Sequence, residues 1–222
     1  MGLVVIVGGS GALGSCMISV FKRLHYVTVN IDHRANAEAD ENYAPGTVDV
    51  ERAFQGRPVV LVVNAAGGWQ AGSAADANLC AVAEQLYAQN VASACLAARV
   101  AAVGRGTRML VLVGSKAVAV HPCPELLGYG MAKTAVTWLA ENLAVDRVKG
   151  GLAPDTQVVL LLPEIMDTEA NRLAMPTADR SKWTLVQTVA DKLAEWLQSG
   201  ADLNGTQWLI VTRNNETTWT RK

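Results

Sequence analysis

Several absences narrow what this chain of 222 residues can be. It has no charge excess: a formal net charge of −1 gives no electrostatic reason to expect nucleic acid or an acidic membrane as a partner. It has no cysteine pattern either. Cys16, Cys80, Cys95 and Cys123 show neither paired nor metal-ligand spacing, so no metal site is expected, and among apolar neighbours they read as small buried hydrophobes in a reducing compartment. Apolar runs such as Val59–Val63 and Val158–Leu162 fall far short of the ~20 residues that cross a bilayer. No targeting segment is recognisable. The run Leu3–Val7 has no basic flank before it and no small-residue cleavage site after it, and Ile6 stands where a myristoylation motif wants Ser or Thr. Internal repeats and low-complexity tracts are also missing. These absences lead us to expect a soluble cytoplasmic protein.

What the chain does have is an apolar half, 50% of its residues, enough for one sizeable core and a single domain over 1–222. Leu3–Val7 reads as a strand covered on both faces, and Ala12–Leu24 has helical spacing. Between them lies Gly8-Gly9-Ser10-Gly11-Ala12-Leu13-Gly14, and after them the strand Val27–Ile31 ends at Asp32, 18 residues beyond Gly14. Glycines at such a turn let backbone N–H groups approach a pyrophosphate at the positive end of the helix. Placed between strand and helix, with an acid beyond, the pattern predicts a dinucleotide site. Asp32 would accept from the adenosine ribose and disfavour a 2′-phosphate, which predicts NADH. Arg34 could reach such a phosphate, leaving room for NADPH, or could be a solvated loop cation.

Ala35–Tyr43 reads as a surface loop, and Thr47–Val50 as a short strand ending near Asp49. Asp49 would accept from the adenine amino group or cap the turn Glu51–Phe54. Strand Val59–Val63 runs into Asn64-Ala65-Ala66-Gly67-Gly68-Trp69, where small residues let the chain pass close to a cofactor. Trp69, outside any periodic run, would make a flat wall for a planar heterocycle. Residues 78–103 read as one helix; Asn90 inside it is either solvated or faces the cleft near Lys133. Strand Met109–Val113 delivers Ser115 at its carboxyl end, either a hydrogen-bond donor beside Tyr129 or a turn serine. His121 and Cys123 lie on a proline-rich loop without an orienting acid.

Tyr129 and Lys133 are the central pair. On a helix, a spacing of four places both on one face, and a neighbouring ammonium stabilises the phenolate of a tyrosine that otherwise titrates near pH ~10. The helix over 126–149 is apolar round more of its circumference than one core face requires, which suggests, with 78–103, a homodimer interface. Strand Val158–Leu162 stops at Pro163, a long irregular stretch follows through Trp183, a helix spans Leu185–Leu197, a last strand Gly205–Val211, and 213–222 is a polar tail. The alternation predicts an α/β fold of Rossmann type: a doubly wound parallel sheet of about seven strands with helices on both faces.

These motifs resemble the short-chain dehydrogenase/reductase family over essentially the whole chain, through Gly8–Gly14, Asn64-Ala65-Ala66-Gly67, Tyr129 with Lys133, and Pro163 with Thr168. Ala66-Gly67-Gly68-Trp69, Gly128-Tyr129-Gly130-Met131-Ala132-Lys133 and the segment Met175-Pro176 to Trp183 are similar to the family's pteridine-reducing branch. The resemblance implies NADH-dependent reduction of a quinonoid dihydropteridine such as dihydrobiopterin by a cytosolic homodimer. Tyr129 would donate the proton, and Lys133 would hold the nicotinamide ribose and stabilise the phenolate. Asp32 would bind the adenosine ribose, Trp69 would flank the pterin, and Thr168 would contact the nicotinamide end. The glycine loop with Ala65, Ala66, Gly67 and Pro163 would line the cofactor. Glu164 replaces the glycine usual after that proline, and Ser115 and Asn90 look more like the wider family, which keeps a general carbonyl reductase as the alternative. A catalytically idle NAD(H) sensor or scaffold would need the glycine loop and Asp32 but not the Tyr129–Lys133 pair.

Overall fold

The computed structural model, which describes residues 2–222, gathers every buried apolar run into one sheet. The strands β1 (Leu3–Val7), β2 (Val27–Ile31), β4 (Val59–Asn64), β5 (Met109–Val113), β6 (Gln157–Pro163) and β9 (Thr206–Arg213) are joined by edge strands β3 (Glu41–Tyr43) and β10 (Glu216–Arg221). Their order is β10-β9-β6-β5-β4-β1-β2-β3. All neighbours run parallel except the last hairpin, β9 with β10.

Each strand's two-residue alternation feeds two cores. Val5, Val29, Val62, Leu110 and Leu160 face the helices α3 (Leu79–Tyr87), α4 (Ser93–Val103) and α6 (Leu127–Val145), meeting Leu86, Ala97, Val136 and Ala140. Val4, Ile6, Leu61, Val111 and Leu161 face α1 (Ala12–Arg23) and α8 (Val186–Ser199), meeting Met17, Phe21, Leu193 and Leu197. Helices on both faces make the sheet doubly wound. Short helices α2 (Val50–Phe54), α5 (Lys116–Val120) and α7 (Glu169–Ala174), with a small parallel pair of β7 (Met166–Asp167) and β8 (Thr184–Leu185), complete the chain.

Four expectations are corrected. The third strand is not Thr47–Val50 but Glu41–Tyr43, inside the segment read as loop; an edge strand has one neighbour, so polar Glu41 and Asn42 suffice while Tyr43 packs edge-on against Phe54 at 5.6 Å. The polar tail is β10, which raises the sheet to eight strands. Asn214 and Asn215 take left-handed φ values of 53° and 64°, the requirement of a two-residue hairpin turn. The helix over 78–103 is broken by a π-helical turn, Ala88–Ala92. Cys80 and Cys95 are exposed and Cys16 and Cys123 half-buried, the first two because they fall on the outer side of the alanine-rich helices whose Val82, Leu86, Ala94 and Ala97 face the core. As a unit, residues 79–103 are long and apolar enough to cross a membrane by length and composition, yet Val82, Leu86, Ala94, Ala97 and Val100 pack into the core.

The hairpin is tied to the second core by tryptophan: Trp196 of α8 meets Trp208 of β9 at 5.2 Å and Trp219 of β10 edge-on at 5.4 Å. Trp219→Ala should therefore destabilise the whole protein by about 2–3 kcal/mol, read as a lower urea midpoint. An unchanged midpoint would show that β10 unfolds independently.

Candidate active site

Because the inner strands are parallel, their carboxyl ends share one edge, where the chain turns toward the next helix. After β1 comes Gly8, with φ +86° and a Cα side so close to Ala66 that a Cβ would lie 2.6 Å from its Cα. Ala65 and Ala66 both donate their N–H to the Val7 carbonyl, at 2.8 and 2.9 Å, so the glycine loop rests on the segment after β4. Helix α1 starts from Gly11 without a side-chain cap, which leaves the N–H groups of its first turn for an anion. At the loop's edge, Asp32 accepts from the Ser10 N–H at 3.0 Å and the Arg34 N–H at 3.2 Å. The exposed Arg34 guanidinium donates to the Ser10 carbonyl, 3.2 Å away. Asp49 caps α2, accepting from Arg52 N–H at 3.1 Å, and so the cap is the reading its geometry supports; it follows no strand.

At the other end, α6 carries Tyr129 and Lys133 on one face. The Lys133 ammonium is buried, donates to the Val113 carbonyl at 2.9 Å and lies 5.8 Å from the Tyr129 ring centre. Burial lowers its pKa from 10.5 to about 8. Burial raises that of Tyr129, and the Ser115 hydroxyl beside the phenol opposes the rise. The pair is therefore a phenol held protonated at neutral pH, next to a buried ammonium whose pKa is lowered to about 8.

Asn90, in the π turn, faces the cleft. Its Nδ2 donates to the carbonyls of Gly68 at 3.1 Å and Leu86 at 2.9 Å, while its buried Oδ1 has no partner among the described residues. Gly67 closes the gap: a Cβ there would stand 2.7 Å from Asn90 Oδ1 and 3.3 Å from Lys133 Nζ. Trp69, 62% exposed, sits on a loop bonded to the start of α6 through Gly72, whose N–H donates to Glu125 at 2.7 Å and whose carbonyl accepts from Leu127 at 3.0 Å.

Pro163 ends β6. Glu164, in the bend that follows, donates its N–H to the Ile210 carbonyl at 3.0 Å, while its carboxylate pairs with Lys116 at 2.6 Å and Arg213 at 2.5 Å. Those two cations hold its pKa below the usual range. Thr168 caps α7, accepting from the Asn171 N–H at 3.2 Å, which leaves its own hydroxyl proton free to donate. The sheet edge thus unites the glycine loop, Asp32, Ala65–Gly67, Asn90, Ser115, Tyr129, Lys133 and Pro163. Cys123 hydrogen-bonds to the main-chain carbonyls of Ala117 in α5 and His121 in its own loop, and no group of metal-ligating side chains occurs among the described residues. Sequence reasoning missed Asn36, whose amide reaches the Gly9 carbonyl at 2.8 Å; an asparagine at position 30 inside an apolar strand was the available signal.

The capless helix start, the small-residue floor and the orphaned Asn90 oxygen fit a dinucleotide. Comparisons agree. The profile of the NAD dependent epimerase/dehydratase family matches residues 4–149. A dihydropteridine reductase of Dictyostelium discoideum is 30% identical over 229 residues, covering 98% of this chain and 97% of the relative. The ligand-free aldohexose dehydrogenase of Thermoplasma acidophilum superposes with a TM-score of 0.75 at 17% identity, over 94% of this chain and 91% of that one. BdcA in complex with NADPH does so with 0.75 at 18%, over 94% and 92%. These two likenesses concern the fold.

The buried ammonium makes stability depend on pH. With its folded pKa near 8 and its unfolded value near 10.5, Lys133 is more protonated in the unfolded chain between those limits, so stability gains as pH rises through that window. Relative to Lys133→Met, the cofactor-free wild type should gain about 2–3 kcal/mol between pH 7 and pH 10.5, read by urea unfolding. A difference independent of pH would mean that the lysine is not buried as an ammonium.

Proposed function

Since the chain belongs to the NAD dependent epimerase/dehydratase family and is an NAD(P)-dependent oxidoreductase of the short-chain dehydrogenase/reductase type, we propose that it reduces quinonoid dihydropteridines, such as dihydrobiopterin, with NADH. The observation that carries the reading is Trp69: an exposed flat ring, on a loop bonded to the start of the helix that bears Tyr129 and Lys133. It supports a planar heterocycle as the partner of that pair. The kinship with a dihydropteridine reductase along nearly the full length of both chains supports the same substrate class.

Bound NADH supplies the hydride. The first-turn N–H groups of α1 would hold the pyrophosphate, Asp32 would accept from the adenosine ribose, and Ala65, Ala66 and Gly67 would line the cofactor. Lys133 would hold the nicotinamide ribose and stabilise the Tyr129 phenolate, Pro163 would border the nicotinamide, and Thr168 would donate its hydroxyl proton to the nicotinamide end. Tyr129 gives its proton to the pterin nitrogen, so the substrate gains one hydride and one proton. A quinonoid dihydropterin is already electron-poor, and holding it within ~3.5 Å of the reacting carbon with a proton at hand does most of the work. Asp32 favours NADH, and Arg34 beside it gives NADPH a second-best fit.

A second reading rests on Ser115. Its hydroxyl stands beside the Tyr129 phenol, and with Asn90 it supplies what the reduction of a simple carbonyl draws on, an added hydrogen bond to the developing oxyanion. Stopped-flow NADH oxidation with freshly generated quinonoid dihydrobiopterin, beside a panel of aldehydes and ketones, separates the two. Turnover confined to the pterin is expected, falling at least ~100-fold in Tyr129→Phe with NADH affinity within twofold. Rates no better than with ketones would sink the pterin reading, and equal turnover in the variant would move the proton donor elsewhere.

The proposal includes a cytoplasmic homodimer. Tyr87 on α3, and Met131, Trp138 and Val145 on α6, are 58–87% exposed, an apolar surface that the protein's own core leaves uncovered. Trp138→Glu should convert a dimer to a monomer in sedimentation equilibrium; a wild type that is already monomeric would refute this assignment.

A further inference from the structure

The mechanism makes no use of a set of three asparagines beside the glycine loop. Asn30 is fully buried in β2 between Val29 and Ile31, a place where an unpaired amide costs about 1–3 kcal/mol. The two hydrogens of its Nδ2 are shared among Asn42 Oδ1 at 2.8 Å, the Arg34 carbonyl at 3.0 Å and Ser10 Oγ at 3.2 Å, while its Oδ1 has no partner among the described residues. Asn42, on β3, accepts from the Asn36 N–H at 2.8 Å and donates back to the Asn36 carbonyl at 3.2 Å. Asn36 then donates from its own Nδ2 to the Gly9 carbonyl at 2.8 Å, which Ser15 Oγ also reaches at 3.1 Å. Side chains alone strap the segment 32–42 over the loop.

The unit that the strap holds is one peptide plane, Gly9–Ser10. Its carbonyl takes Asn36 and Ser15, and its N–H donates to Asp32 Oδ2 at 3.0 Å. In a planar trans peptide the two groups point in opposite directions, so fixing the carbonyl fixes the N–H and the carboxylate it anchors. Rotated the other way, the plane would aim a carbonyl dipole at the Asp32 carboxylate.

We infer that Asn36 is a positioning residue for dinucleotide selection: by holding the Gly9 carbonyl it aims the Ser10 N–H at Asp32, and so sets that carboxylate toward the adenosine ribose. The inference rests on Asp32 being the ribose acceptor. Asn36 acts through Asp32, and its effect should disappear when the carboxylate is gone.

The test is titration of NADH and NADPH by fluorescence against wild type, Asn36→Ala, Asp32→Ser and the double variant, with thermal midpoints recorded to confirm folding. Asp32→Ser should lower the NADH to NADPH affinity ratio at least ~tenfold. Asn36→Ala should lower it about fivefold, the worth of one neutral amide–carbonyl hydrogen bond, and should leave the ratio unchanged in the Asp32→Ser background. An unaltered ratio in Asp32→Ser defeats the ribose assignment and the inference with it. A ratio that moves in Asp32→Ser but not in Asn36→Ala leaves Asp32 standing and overturns the role of Asn36, as does an equal effect of Asn36→Ala in both backgrounds. Should Asn36→Ala fail to fold, Ser15→Ala, which removes the other donor to the same carbonyl, carries the test: a ratio lowered about twofold supports the inference, and an unchanged one overturns it.

Discussion

An ammonium buried against a main-chain carbonyl, with no carboxylate in its hydrogen bond, is what the rest of the site is built around. Lys133 reaches the Val113 carbonyl at 2.9 Å only because β5 ends there and α6 lies close on the sheet, its inward positions kept small by Ala132 and Ala140. Gly67 lacks a side chain because Lys133 and Asn90 occupy the space. The π turn has the same origin: it turns Asn90 toward that space, where an ordinary helical turn would continue its period. Desolvation without a counter-charge lowers the lysine's pKa to about 8.

Much of this was legible because it is local. Leu3–Val7, the glycine loop and the periodic helix α1 follow one another within two dozen residues, and the Tyr129–Lys133 spacing needs one helical turn. Parallel topology then does the assembly, bringing strand ends distant in sequence to one edge. What escaped was written in longer-range or weaker signals. β3 is held by Asn30 and Asn42, and by Arg57 paired with Glu41 at 2.6 Å, contacts that no apolar period announces. β10 alternates threonine with charge around a single tryptophan, enough for an edge strand packed on one neighbour but indistinguishable by composition from a tail. The π turn leaves no compositional mark, since the alanine-rich period continues through it.

Glu164 shows how a local departure is absorbed. A carboxylate in place of glycine after Pro163 left the backbone path open to question; β6 stops at Pro163, and Glu164 opens a bend whose N–H still reaches the Ile210 carbonyl of β9. Lys116 and Arg213 then tie the ends of β5, β6 and β9 to one side chain. All three groups are partly solvated, so the stabilisation is modest. What the tripod does is geometric: it fixes the chain where it leaves the sheet for the segment that carries Thr168.

The sheet order has a consequence for how the chain is made. β6, next to the strand that carries Ser115 and the Lys133 acceptor, gets its outer partner only from residues 206–213, and that strand is in turn covered by 216–221. During synthesis from the amino end, at about 5–20 residues per second, the inner strands therefore wait some seconds with an apolar edge unpaired. Until residues 206–221 join the sheet, the nascent chain carries that edge without a partner.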